Sequence, residues 1–257
     1  MYEREHAEHL RTRRHRDRPR AVARAAELLA DPQRLAILDT ETTGIPFVRP
    51  GKRQGADPRT WLADGTLMAH CYARPAWIVD LGVIDGTGAV LLETLVRPGV
   101  PIPAEAQAVH HISDAMTAAA PDFAAVLPEL EKALAGRTCL IWNANFDVAV
   151  LHCELMRLHG VAEVTADLPE WWAGLGTPVE CAMSIANDYR GEWDSYRRDY
   201  RYTKLPNPDP GAHRTVSDCR ATLAALGAIA ADAFDPPPRP EPVRRRAGLA
   251  QTGGHDH

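Results

Sequence analysis

The apolar positions of the chain run in two rhythms. Leu35-Ala36-Ile37-Leu38 is a short unbroken apolar run that stops at Asp39, the pattern of a central strand buried on both faces. Trp77 to Ile84 and Ala89 to Val96 repeat the strand signal, and the Asp85-Gly86-Thr87-Gly88 between them is hairpin chemistry. The three segments therefore predict an antiparallel meander. The rhythm then becomes helical: within Pro121 to Ala135, Phe123, Val126, Leu127, Leu130 and Leu134 recur at the spacing of one helix face. Thr138-Cys139-Leu140-Ile141-Trp142 predicts a fourth strand, and Asp147 to His159 a helix with Val148, Leu151, Leu155 and Leu158 on one side. A short strand near Val179 and a helix from about Thr215 to Ala233, capped by Thr215 or Ser217, complete the pattern. The order is β-β-β-α-β-α, followed by a short strand and helices, which is an α/β domain with a mixed sheet.

The ends differ from the middle. Residues 1–34 form a basic arm, with seven Arg against the single Asp17 between Arg11 and Arg24 and a helix-forming run from Ala21 to Ala30. Two readings of the arm stand, a solvated tail and a phosphate-attracting element. Residues 235–257, with Pro236-Pro237-Pro238 and Arg244-Arg245-Arg246, predict an extended tail outside the fold. The folded domain spans 35–234, and its stretch from Ile45 to Ala76 is too long for an ordinary connection, so a loop or small insertion is expected beside the site. The arm carries a net +3, the tail +1 and the middle −9 of the overall −5. An acidic body repels phosphate unless cations neutralise it where the substrate sits, which favours a metal site over a broad basic groove. The five cysteines are odd in number and form no C-x-x-C pair, so they read as reduced core residues. With no apolar run of about 18 residues and no signal peptide pattern, a cytoplasmic location with no membrane span is expected.

Candidate chemistry lies at the ends of the buried segments. Asp39-Thr40-Glu41 puts two carboxylates two residues apart on a strand, hence on one side of it, although Asp and Thr also commonly end strands. Asp147 opens a helix after the polar turn Asn143-Ala144-Asn145, where capping alone would favour an acid. Asp218 opens another helix, five residues after His213. Four carboxylates at the edges of three buried elements would repel one another in a common cleft, so the set implies cations among them. Hard oxygen ligands select Mg²⁺ or Mn²⁺. Two such ions about 4 Å apart can activate a water and stabilise the leaving oxygen of a phosphodiester, and His213 titrates in the range of a general base.

Asp39-x-Glu41 in its D-T-E-T-T-G setting, Asn143-Ala144-x-Phe146-Asp147 and His213-x4-Asp218 together resemble, in order and separation, the three motifs of the DnaQ-like DEDDh exonucleases. The resemblance spans about Leu35 to Ala231 and includes the strand Ile78 to Ile84 and the Val109-His110-His111-Ile112 loop. It implies a ribonuclease H-like fold: a five-stranded sheet with three antiparallel strands, helices on both faces, and the site at the sheet edge. It implies a metal-dependent 3′–5′ exonuclease that releases nucleoside monophosphates from DNA or RNA. Asp39, Glu41, Asp147 and Asp218 would hold two Mg²⁺ or Mn²⁺ ions, His213 would be the base, and Thr42, Thr43 and Asn143 would meet the substrate. Arg214 stands four residues before Asp218, where a related subgroup has tyrosine, which indicates the histidine type. The expected partner is a single-stranded 3′ end, with a polymerase or other replication or repair protein as a possible second.

His110 reads as a solvated loop residue, and Trp142 and Phe146 as core residues with base stacking as the second reading. Two departures stand out: Glu180-Cys181 replaces an Asp-Thr or Asp-Ser pair, and Thr215 stands where alanine is usual. The rival functions are a catalytically silent docking module on the same fold and a phosphohydrolase acting on free nucleotides.

Overall fold

The computed structural model describes residues 2–45, 76–159, 167–194, 199–206 and 214–235. Helix α1 (Tyr2–Leu29) leads into strand β1 (Leu35–Thr42), and β2 (Ile78–Asp85) and β3 (Val90–Leu95) follow. Then come α2 (Ala104–His110), α3 (Asp114–Thr117), α4 (Phe123–Leu134), β4 (Thr138–Ile141), α5 (Ala144–His159), α6 (Asp167–Gly174) and β5 (Val179–Cys181). The remainder is α7 (Ala182–Arg190), the two-residue strands β6 (Trp193–Asp194) and β7 (Asp199–Tyr200), and α8 (Thr215–Ala230). No described helix is long and apolar enough to cross a membrane.

The five-stranded sheet has the order β3-β2-β1-β4-β5. β1 pairs antiparallel with β2 and parallel with β4, while β2–β3 is antiparallel and β4–β5 parallel. This is the α/β, ribonuclease H-like mixed sheet with a three-strand meander. The hairpin between β2 and β3 forms where Asp85-Gly86 predicts it, and Asp85 secures the turn by accepting from the Thr87 and Ala89 amides.

Alternation along β1 divides the core. Ala36 and Leu38 face one layer with Val126, Leu130, Val148 and Leu151 of α4 and α5; Leu35 and Ile37 face the other with Val216, Cys219 and Leu226 of α8 and Ile185 of α7. Helix α1 covers that second layer, with Ala21, Ala25 and Leu28 buried against it. Its arginines bind the body: Arg18 pairs with Asp232, Arg24 with Glu180, and Arg13 lies over the rings of Trp193 and Tyr200. The basic arm is thus a docked helix, with Arg13, Arg18 and Arg24 held by carboxylates and aromatic faces of the body. The long stretch after the first motif lies almost wholly outside the described residues, as does the proline-rich tail after Asp235.

Candidate active site

β1 is the central strand, and its C-terminal end carries the site, so the carboxylates gather there rather than at a lateral edge of the sheet. Asp39 and Glu41 continue the side of β1 set by Leu35 and Ile37, which is the side that α8 covers. Asp218 arrives there in the first turn of α8. One carboxylate oxygen from each of Asp39, Glu41 and Asp218 lies within 4.8 Å of the others.

Asp147 reaches the same strand end from α5. β4 stops at Ile141, level with Leu38, so β1 runs on past its parallel neighbour and its amides on that side have no ladder partner. The Thr40 amide donates to Asp147 Oδ1 at 3.1 Å and the Thr40 hydroxyl donates to the same oxygen at 2.7 Å. The buried Asp147 is therefore oriented by the residue next to Asp39. Further along α5, Glu154 Oε1 accepts from the Ile78 amide at 2.8 Å and pairs with Arg157 at 2.9 Å. Arg157 also donates to the Ala76 carbonyl and lies 3.7 Å over the Trp77 ring. Trp77 in turn exchanges two hydrogen bonds with Thr43, its carbonyl accepting from the Thr43 amide and its amide donating to the Thr43 hydroxyl. One helix thus holds the end of β1 at two points, through Thr40 and through Trp77.

On the other face α8 sits unusually close. A Cβ on Gly82 of β2 would lie 2.6 Å from Thr215 Oγ1 and 2.9 Å from the Val216 amide nitrogen, so glycine is required for the contact. The Cys219 thiol donates to the Ile37 carbonyl at 3.3 Å. Beside Gly82, Asp80 pairs with Glu41 across the β1–β2 ladder and so points to the same side. Asp80 is 1% exposed, and its Oδ2 accepts from Arg214 Nε at 2.8 Å.

Burial dominates the electrostatics, and like charge adds to it. Asp39 is held well above the usual carboxylate range by desolvation and then by Asp147, Glu41, Asp218 and Asp80. Glu41 is pushed up to about 8 by burial, Asp218, Asp80 and Asp147, with Arg214 opposing. Asp147 rises to about 7 through burial, against the two bonds from Thr40. Two full charges at this separation repel by roughly 3 kcal/mol at an effective dielectric constant of about 20, so the cluster holds protons or cations. Clustered hard oxygen donors, with no thiolate or imidazole among the three grouped ligands, suit a divalent cation of the magnesium class.

The remaining expected residues divide. His213 lies outside the described residues. Thr42 and Thr43 are buried at the strand end, with their hydroxyls engaged inside the chain, Thr42 donating to the Gly44 carbonyl and Thr43 accepting from Trp77. Asn143 is exposed at the turn before α5. His110 is buried rather than solvated: it ends α2, and its Nδ1 accepts from the Ile112 amide. Trp142 is a buried core residue and Phe146 packs against the core. Neither Thr215 nor Ser217 caps α8; Arg214 occupies the cap position, and Thr215 is buried against Gly82. Glu180 is the partner of Arg24, and the Cys181 thiol donates to the Trp142 carbonyl. Sequence reasoning missed the contacts that Thr40, Asp80 and Arg214 make at the site. Asp80 carried a readable signal, a carboxylate inside the apolar run Ile78-Val79-Asp80-Leu81. An open cleft of about 420 Å³ on α1 is lined by Arg14, His15, Arg18 and Pro19 and by none of the carboxylates.

The exonuclease family model RNase T matches residues 36–226. The chain is 31% identical over 184 residues to the exonuclease CP81 of Escherichia phage 186, covering 67% of this chain and 91% of that protein. It is 32% identical over 128 residues to a DNA polymerase III subunit epsilon-like protein of Rhodobacter capsulatus, covering 49% of this chain and 15% of the relative. Among solved structures it resembles exonuclease X in complex with 5′ overhanging duplex DNA, at 21% identity and a TM-score of 0.43, over 79% of this chain and 95% of the other. The sheet order, the strand-end carboxylates and the match along most of the domain agree: the chain belongs to the RNase T exonuclease family, the DnaQ-like group to which its three motifs point.

Proposed function

We propose that this nuclease removes nucleotides singly from the 3′ end of a strand, releasing nucleoside 5′-monophosphates with the help of two Mg²⁺ or Mn²⁺ ions. The observation that carries the reading is the meeting of Asp39, Glu41 and Asp218 within 4.8 Å, with Asp147 hydrogen-bonded one residue away at Thr40. Membership of the family implies dependence on divalent metal, and the donor set fits it. Asp39, Glu41, Asp147 and Asp218 would hold the ions, which when bound offset the carboxylate charge and polarise the scissile phosphate and the attacking water.

In this reading His213 takes the proton of the water as its oxygen bonds to phosphorus. The bond from phosphorus to the 3′ oxygen of the preceding nucleotide breaks, and that oxygen leaves to be protonated as the new 3′ hydroxyl. Thr40 keeps Asp147 in one orientation throughout. Thr42 and Thr43, whose hydroxyls are already engaged, would meet the terminal nucleotide through backbone and carbon atoms, and Asn143 through its exposed side chain.

The test is a 5′-labelled oligonucleotide panel of single- and double-stranded DNA and RNA, with Mg²⁺ or Mn²⁺, read as a ladder shortening by one nucleotide. Asp39→Ala and Asp218→Ala should leave the strand intact while keeping the wild-type circular dichroism. Full activity in either variant overturns the site, and shortening from the 5′ end of a 3′-labelled strand overturns the polarity. Hydrolysis of free nucleotides with oligonucleotides left untouched would support the phosphohydrolase instead.

A further inference from the structure

Arg214 stands out from the other site residues because it is a cation among acids. Its Nε is anchored on Asp80, which is 1% exposed, while the Arg214 side chain as a whole keeps 43% of its surface open to solvent. Among the described residues none takes the two terminal guanidinium nitrogens. Asp80 lies opposite Glu41 in the ladder, and Arg214 is the cap residue of the helix that carries Asp218, so the guanidinium is anchored on the side of the sheet where the carboxylates gather.

An acidic cleft that takes a polyanion needs fixed positive charge beyond the cations at the reacting centre. A guanidinium held at Nε with its terminal edge free is a preorganised fork for phosphate oxygens, with much of its rotamer freedom already lost. We propose that Arg214, braced by Asp80, binds a non-scissile phosphate of the substrate strand and so holds the strand in line with the carboxylates. This assignment rests on the nuclease reading. It makes Arg214 a binding residue and Asp80 its positioning residue, with no part in proton transfer.

The experiment couples a protein change to a substrate change. Arg214→Gln is made together with Asp80→Asn, so that no buried carboxylate is left without its cation. Substrates are 5′-labelled oligonucleotides carrying one uncharged methylphosphonate at the first, second or third linkage upstream of the terminal one. In the wild type, neutralising the phosphate that Arg214 holds should lower kcat/KM by about tenfold or more. The double variant should be slower on the unmodified strand by a similar factor and lose nothing further from that methylphosphonate.

Equal losses in both proteins at every linkage overturn the proposal. So does a raised Mg²⁺ requirement as the only defect of the double variant, which would mark the pair as a support for the carboxylates alone. If circular dichroism shows the double variant unfolded, Arg214→Lys keeps the charge without the fork and should retain only part of the coupling; full wild-type coupling there overturns the role of the fork. A wild-type protein inactive on every unmodified strand overturns the nuclease reading and this assignment with it, and is told apart from lost coupling in an active enzyme.

Discussion

The two helices that complete the site meet β1 by opposite means. α5 is attached through polar clamps, with Asp147 on Thr40, Glu154 on the Ile78 amide and Arg157 over Trp77. α8 is attached by proximity, through Thr215 against Gly82 and Cys219 against the Ile37 carbonyl, with the Arg214–Asp80 ion pair at its start. Polar clamps fix direction and tolerate small changes of volume, whereas a close approach fixes distance and fails when one methyl group is added. The difference teaches where each side is fragile: the α5 side to loss of a hydrogen bond, the α8 side to gain of an atom.

The largest effect should come from the cluster itself. Glu41→Gln keeps the volume but removes a ligand charge, and kcat should fall by more than about 100-fold, beyond what loss of a supporting partner costs; activity within tenfold of wild type would remove Glu41 from the site. Next is Gly82→Ala on the α8 side, where the added carbon must displace Thr215 or the Val216 backbone. A cost of about 1–3 kcal/mol in chemical denaturation is expected, with a fall in activity of up to about 100-fold as Asp218 moves off. Thr215→Ala in the same chain should recover part of both, and no recovery would show that the contact is not what limits α8.

On the α5 side Thr40→Val removes one of the two bonds to Asp147 and leaves the backbone bond in place. Activity should drop by about tenfold, the range for a hydrogen bond to a charged group, with little change in volume. An undiminished rate would mean that the amide alone orients Asp147.

The smallest effect is thermodynamic and depends on pH. Glu41 titrates at about 8 in the folded protein against an ordinary 4.5, and Asp147 at about 7 against 3.8. Between those values the unfolded chain has released protons that the folded one keeps, so raising the pH through this window lowers the stability of the cation-free protein. Glu41→Gln should therefore gain in Tm over the wild type as the pH goes from 5 to 8 in chelator, and millimolar Mg²⁺ should shrink that gain. A difference that is flat with pH would contradict the upward shift of the half-buried Glu41.

How much of this was legible follows from where the signals lie. β1 was readable from its unbroken apolar run, although the strand continues past Asp39 to Thr42, and the β2–β3 turn was readable in place from Asp85-Gly86, although the left-handed residue is Gly88. The Asp147 and Asp218 helices announce themselves by periodicity and an acid in the first turn. Contacts made across the sheet leave no local trace. Nothing around Thr40 shows that β4 stops short of it, nothing in the arm marks Ala21, Ala25 and Leu28 as its buried residues, and β6 and β7 are two residues each, below any readable period. Asp80 is the intermediate case, visible as a misfit in its strand but explained only by Arg214 more than 130 positions away.

The clasp between Thr43 and Trp77 closes the chain on itself just before and just after the long connection that follows the first motif. Because its two ends are tied together at the end of β1, length or sequence can be changed between them at small entropic cost and without moving Asp39 and Glu41. Changes within that connection are thus set apart from the strand that carries Asp39 and Glu41 by a pair of hydrogen bonds.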